Sequence, residues 1–137
     1  MTMADRIMLL AEPGQDLLAL ARWTLGFARR MKTRVVAVGL IDPDDLPAGD
    51  EREDALSVAE EQTWQRLYEI EDQAFRLNAK VSLIVEQGRP LDRLLELAES
   101  YDARLLVLST GTRLDTGEVL ARAPIPVLFA RGTKEHP

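Results

Sequence analysis

Ser109-Thr110-Gly111-Thr112 is the stretch whose residue types could hold a small anion. Hydroxyls and backbone N–H groups can cradle one phosphate or sulfate when they close a loop at the end of a strand. The same four residues also read as a polar turn after a buried strand, and the composition favours that reading. Glu12 follows a short apolar run and could bind a ribose or a cation. The expected role is a solvated carboxylate, or a cap on the helix that begins near Gln15. Asp42, Asp44, Asp45 and Asp50 could suggest a hard-metal site, but they lack EF-hand spacing and a following bidentate Glu, so a solvated loop is expected. Arg113 and Arg122 could attract an anion near the Ser/Thr segment; a surface position or an ion pair with Glu118 is expected instead. His136 is the single histidine and sits in a polar tail, away from any base or ligand role. There is no cysteine, no GxSxG and no GxxxxGK[ST], so no nucleophile–base–acid set can be assembled. No enzymatic activity and no metal are expected.

The elements that would position these residues alternate strand with helix. Arg6–Ala11 is a short apolar run stopped by Pro13-Gly14. Gln15–Lys32 carries a helical stripe of Leu17, Leu18, Leu20, Ala21, Leu25 and Ala28. Arg34–Ile41 is β-branched and nearly all apolar, as a strand buried on both faces must be. After the Asp/Pro/Gly loop at Asp42–Asp50, Glu51–Asn78 is the longest helical pattern, with Leu56, Ala59, Trp64, Leu67, Ile70, Ala74 and Leu77 on one broad face. Val81–Glu86 is a third strand and Leu91–Ser100 a short helix after Gly88-Arg89-Pro90. Ala103–Leu108 is a fourth strand, Thr116–Arg122 a short helix and Ile125–Ala130 a fifth strand. Trp23 and Trp64 are expected to pack against the sheet.

Strands separated by helices need crossover connections, which are right-handed and give a parallel sheet covered on both faces. The expected fold is therefore a three-layer α/β sandwich around a five-stranded parallel sheet, flavodoxin- or Rossmann-like, in one domain spanning 1–137. Ligands of such sheets bind at the carboxyl ends of the strands near the topological switch point. That rule selects Ala11-Glu12, Leu40-Ile41-Asp42 and Ser109–Thr112.

Composition narrows the partners. The chain has 137 residues, 46% of them hydrophobic and 29% charged, with a formal net charge of −6. An acidic surface disfavours nucleic acid or an anionic membrane as the main partner. No run approaches the ~18 apolar residues of a membrane span. A cytoplasmic location is expected.

EQGRPLDRLLELAESYDARLLVLST resembles the universal stress protein family's Gly-x-Pro turn, helix, acidic-Ala pair and fourth strand. VLARAPIPVLFARG resembles that family's last helix running into an Ala-Pro-x-Pro-Val approach to the fifth strand. Asp102-Ala103 and Ala123-Pro124-Ile125-Pro126-Val127 fall in the same order and spacing, and the resemblance covers nearly all of the chain. It implies an α/β fold of the adenine nucleotide alpha hydrolase-like kind, a dimer and, in some members, bound ATP or a related nucleotide.

The resemblance places a pocket at Ala11, Glu12, Leu40, Ser109, Thr110, Gly111 and Thr112. It also departs from the nucleotide-binding pattern there. Glu12 stands where that pattern has Asp, and Leu40 at the adenine-contacting position. Ser109 and Thr112 replace the two glycines of Gly-x-x-Gly, and Thr112–Val119 is several residues short. Glycines in such loops allow positive φ and close backbone approach to phosphate. The expectation is a domain with no cofactor, the alternative being ATP, that acts as a homodimer or on a protein partner. The expected dimer edge is Val127–Ala130, an apolar edge strand that invites pairing, with Leu128→Pro as the substitution that would split it.

Overall fold

The computed structural model describes residues 6–14 and 16–131. Gln15, His136 and most of the polar tail therefore lie outside the described residues.

The apolar runs form the five strands β1 (Arg6–Leu10), β2 (Arg34–Ile41), β3 (Lys80–Gln87), β4 (Ala103–Ser109) and β5 (Val127–Ala130). All pair in parallel, in the order β3-β2-β1-β4-β5. Four helices connect them: α1 (Leu17–Arg30), α2 (Arg52–Leu77), α3 (Pro90–Ser100) and α4 (Thr116–Arg122). The expected five-stranded parallel α/β sandwich is the fold observed.

Alternation along each strand divides the core in two. Ile7, Leu9, Val35, Ala37 and Val107 meet α1 and α2 on one face. Met8, Leu10, Val36, Val38, Leu106 and Leu108 meet α3 and α4 on the other. The chain moves leftward from β1 to β3 with both helices on one face, then crosses to β4 with helices on the opposite face. The switch point therefore falls at the carboxyl ends of β1 and β4.

Local chemistry sets the helix limits. α1 and α2 are followed by Lys32 (φ 56°) and Asn78 (φ 54°) in left-handed conformation. The next N–H groups, of Thr33 and Ala79, then return to Ala28 O and Ala74 O, satisfying carbonyls of the last turn. Pro90 occupies the first position of α3, where its missing N–H costs nothing. Asp115 caps α4, accepting a hydrogen bond from the Glu118 N–H.

Gly39 lets α2 come close to β2. A Cβ there would lie 2.2 Å from Thr63 Cγ2. This contact fixes the height of the middle of α2 above the strand ends.

Two side-chain expectations are corrected. Trp64 packs partly against the α1–α2 core, but Trp23 is 44% exposed and stacks on Phe27 at 5.4 Å instead of on the sheet. Ring stacking one helical turn apart covers Trp23 without burying it. The broad apolar face of α2 is also narrower than its pattern: Thr63, Leu67, Ile70 and Ala74 are buried, while Leu56 and Ala59 are only half-buried.

β5 lies at the sheet edge as expected. Its Pro126 and Ala130 carbonyls accept from Leu106 N and Thr110 N. In a parallel ladder, N–H and C=O of one residue point the same way and alternate along the strand. Leu128 therefore faces β4, and the outward-facing backbone groups belong to Val127 and Phe129. Leu128→Pro would break the protein's own sheet; the edge is tested at Val127.

Candidate functional site

A cavity of about 460 Å³ opens at the carboxyl ends of β1 and β2. Leu10, Ala11, Glu12 and Pro13 form one wall, and Leu40 with the acidic loop after β2 a second. Arg66 enters from α2, Arg89–Asp92 from the start of α3, and Arg113–Asp115, Glu118 and Arg122 from the loop after β4 and from α4. Open parallel sheets place ligand crevices at this position.

Of the residues chosen from sequence, Ala11, Glu12 and Leu40 line this cavity. Ser109 and Gly111 line a separate, smaller cavity of about 90 Å³ against the start of α1. Thr110 and Thr112 line neither. Leu10, Glu12 and Pro13 line both cavities, so the expected residues fall across two adjoining cavities.

The loop after β4 is closed on itself. Thr110 N donates to Ala130 O, and Thr112 N to Ser109 O. Gly111 N donates to Ser109 Oγ at 3.0 Å, Arg113 N to Glu12 Oε2 at 3.1 Å and Leu114 N to Thr112 Oγ1 at 3.2 Å. Ser109 Oγ itself donates to Asp16 Oδ2 at 3.0 Å. At the start of α4, the Asp115 carboxylate takes Glu118 N at 3.0 Å. Every backbone donor from Thr110 to Leu114 is engaged by the chain's own acceptors. Two of the acceptors are carboxylates: Glu12 takes the Arg113 N–H and Asp115 the Glu118 N–H.

Ion pairs tie the cavity walls together. Arg113 reaches Asp45 at 3.4 Å, joining the loops after β4 and β2. Arg122 holds Asp92 of α3 at 2.7 Å and Glu118 at 3.2 Å. The hydrogen bonds that Arg122 donates, to Asp92 first and then to Glu118, hold its guanidinium above its ordinary range. The expected Glu118 partner is thus Arg122's, whereas Arg113 pairs with Asp45. Asp42 caps a single turn of 3-10 helix by accepting from Asp44 N. Among the described residues, no group of three or more His, Asp or Glu side chains could hold a metal ion.

Glu12 is therefore a loop tie: Oε2 holds Arg113 N while Oε1 is buried without a partner. Sequence reasoning missed Arg66, Arg89, Asp92, Leu114 and Asp115. Asp115 had a signal, an N-cap residue followed three positions later by Glu118. Arg66 had none, because a single arginine in a long polar helix reads as a solvated face.

An open parallel sheet covered by helices on both faces defines the class by fold: a three-layer α/β domain. The family model described as "Universal stress protein family" matches residues 3–131. The chain belongs to the universal stress protein family. Solved structures agree on the fold. A universal stress protein family member from Burkholderia pseudomallei is 21% identical with a TM-score of 0.79, covering 92% of this chain and 95% of that one. A family protein from Arabidopsis thaliana with AMP bound is 13% identical, TM-score 0.67, covering 94% and 92%. The universal stress protein from Archaeoglobus fulgidus in complex with dAMP is 16% identical, TM-score 0.62, covering 94% and 98%. No curated protein matches the sequence. Among the described residues, no helix is long and apolar enough to cross a membrane.

Proposed function

We propose that this chain is a non-catalytic universal stress protein domain that works without ATP, as a homodimer through Val127–Ala130 and by contact with a protein partner. The observation that supports this reading is the self-satisfied loop at Thr110–Leu114. A triphosphate needs free N–H donors and positive potential. Here the donors are engaged, and Glu12 and Asp115 supply negative charge at the same points. Opening the loop for a phosphate would cost several hydrogen bonds and bring like charges together. The reading also takes the domain as one that turns nothing over. The net charge of −6 fits a partner other than nucleic acid, and the reading takes the domain as cytoplasmic.

A second reading, a domain that binds ATP or AMP through an altered phosphate loop, is favoured by one observation. The 460 Å³ cavity lies at the carboxyl ends of β1 and β2, beside the switch point of the sheet, and two relatives of the same fold carry AMP and dAMP. Mass spectrometry of small molecules released from the purified, denatured protein separates the two. No adenine nucleotide near one per chain is expected; near-stoichiometric release would overturn the first reading.

A further inference from the structure

Two guanidiniums in the wall of the larger cavity differ from the rest. Arg113 and Arg122 are neutralised by carboxylates. Among the described residues, Arg66 and Arg89 have no carboxylate partner. Arg66 is half-buried on α2; its Nη2 donates to Thr63 Oγ1 at 3.3 Å, and its Nε is buried without a partner. Burial pushes the Arg66 guanidinium down from its usual range. That shift still leaves an arginine charged at neutral pH. A partly desolvated charge with an unpaired donor is costly until an anion meets it.

The remainder of the cavity restricts what that anion can be. Leu10, Leu40, Leu91 and Leu114 give it apolar walls. Carboxylates outnumber guanidiniums around it, seven to four, so a polyanion is repelled while a single charge can reach Arg66. The volume, about 460 Å³, is that of an ordinary small-ligand pocket. We propose that this cavity binds a small organic acid with one anionic group and an apolar body, the anion on Arg66 and the body against Leu40 and Leu91, with Arg89 adding attraction at the rim. The site is separate from the Ser109–Thr112 segment, which does not line the cavity.

The test uses the full chain and two dyes with similar aromatic bodies. 8-Anilinonaphthalene-1-sulfonate carries one sulfonate; N-phenyl-1-naphthylamine lacks it. Fluorescence titration should show one sulfonate-dye site per chain. Arg66→Met keeps the aliphatic stem and should weaken that site by about tenfold, the loss of one charge-assisted contact. The uncharged dye should bind wild type and Arg66→Met alike. Arg89→Met, on an exposed residue with little effect on folding, should produce a smaller loss for the sulfonate dye alone. Arg76→Met, on the same helix and outside the cavity, should change neither dye. Equal sulfonate-dye affinity in wild type, Arg66→Met and Arg89→Met would overturn the proposal, as would the absence of a saturable site. No nucleotide enters this experiment, so its result is independent of the ATP question.

Discussion

Gly39→Ala is expected to destabilise the fold by about 2 kcal/mol, within the usual range for overpacking a filled core. The new Cβ would sit 2.2 Å from Thr63 Cγ2. Thr63 cannot easily turn away. It is buried, its hydroxyl donates to Ala59 O at 2.7 Å, and it accepts from Arg66. The helix must lift from β2 or Thr63 must leave its rotamer. Thr63→Ser removes the offending methyl and keeps the hydroxyl, leaving the next contacts near 3.7 Å. The double variant should recover most of the loss. Urea unfolding checks this, reading a lower midpoint at unchanged slope for Gly39→Ala and recovery for the pair. A wild-type midpoint for Gly39→Ala alone would mean that Gly39 does not set the spacing of α2. The same contact fixes Arg66, one turn beyond Thr63, so the spacing of a strand and a helix becomes the placement of a charge in the cavity.

Val127→Pro is expected to convert a dimer into a monomer of 15.3 kDa. Val127 and Phe129 present their backbone groups outward from the sheet edge, as the Pro126 and Ala130 bonds to β4 require. An antiparallel ladder across a two-fold axis would use the Val127 N–H, and proline removes it while remaining tolerable on an edge. The side chains of Val127 and Phe129 pack partly against the α3–α4 core, so in the proposed dimer the ladder should carry more of the association than their apolar surface. Leu128→Pro should instead damage the monomer, because its N–H belongs to the bond with β4. Light scattering at micromolar concentration reads the wild type and both variants. A wild-type monomer would reject the edge dimer; a dimer that survives Val127→Pro would place the interface elsewhere.

The fold was legible because its signals are long and redundant. Five apolar runs separated by helical stripes leave few topologies once crossovers must be right-handed. Pro13-Gly14, Gly88-Arg89-Pro90 and the Ala123–Val127 approach to β5 marked where elements change. The candidate site was legible only in part. Ala11, Glu12 and Leu40 follow from strand ends alone, since a parallel sheet delivers those positions to one rim. Ser109–Thr112 also lies at a strand end, yet its hydrogen bonds to Asp16 and Ala130 turn it toward α1 and β5. Those bonds span much of the chain, and no local pattern reports them. Arg66 reaches the cavity because Gly39 admits α2 close to the sheet, a contact between residues 24 positions apart in a helix and a strand. Trp23 was misread because a stripe of spacing specifies a face; it does not state how far that face is covered.

The loop after β4 meets its own donors with the chain's own acceptors, and on the proposed reading it should not hold a triphosphate. Isothermal titration of the wild-type protein with Mg-ATP tests it most directly. The expected result is heat no greater than dilution through the micromolar range. A saturable isotherm with micromolar affinity and one site per chain would contradict it.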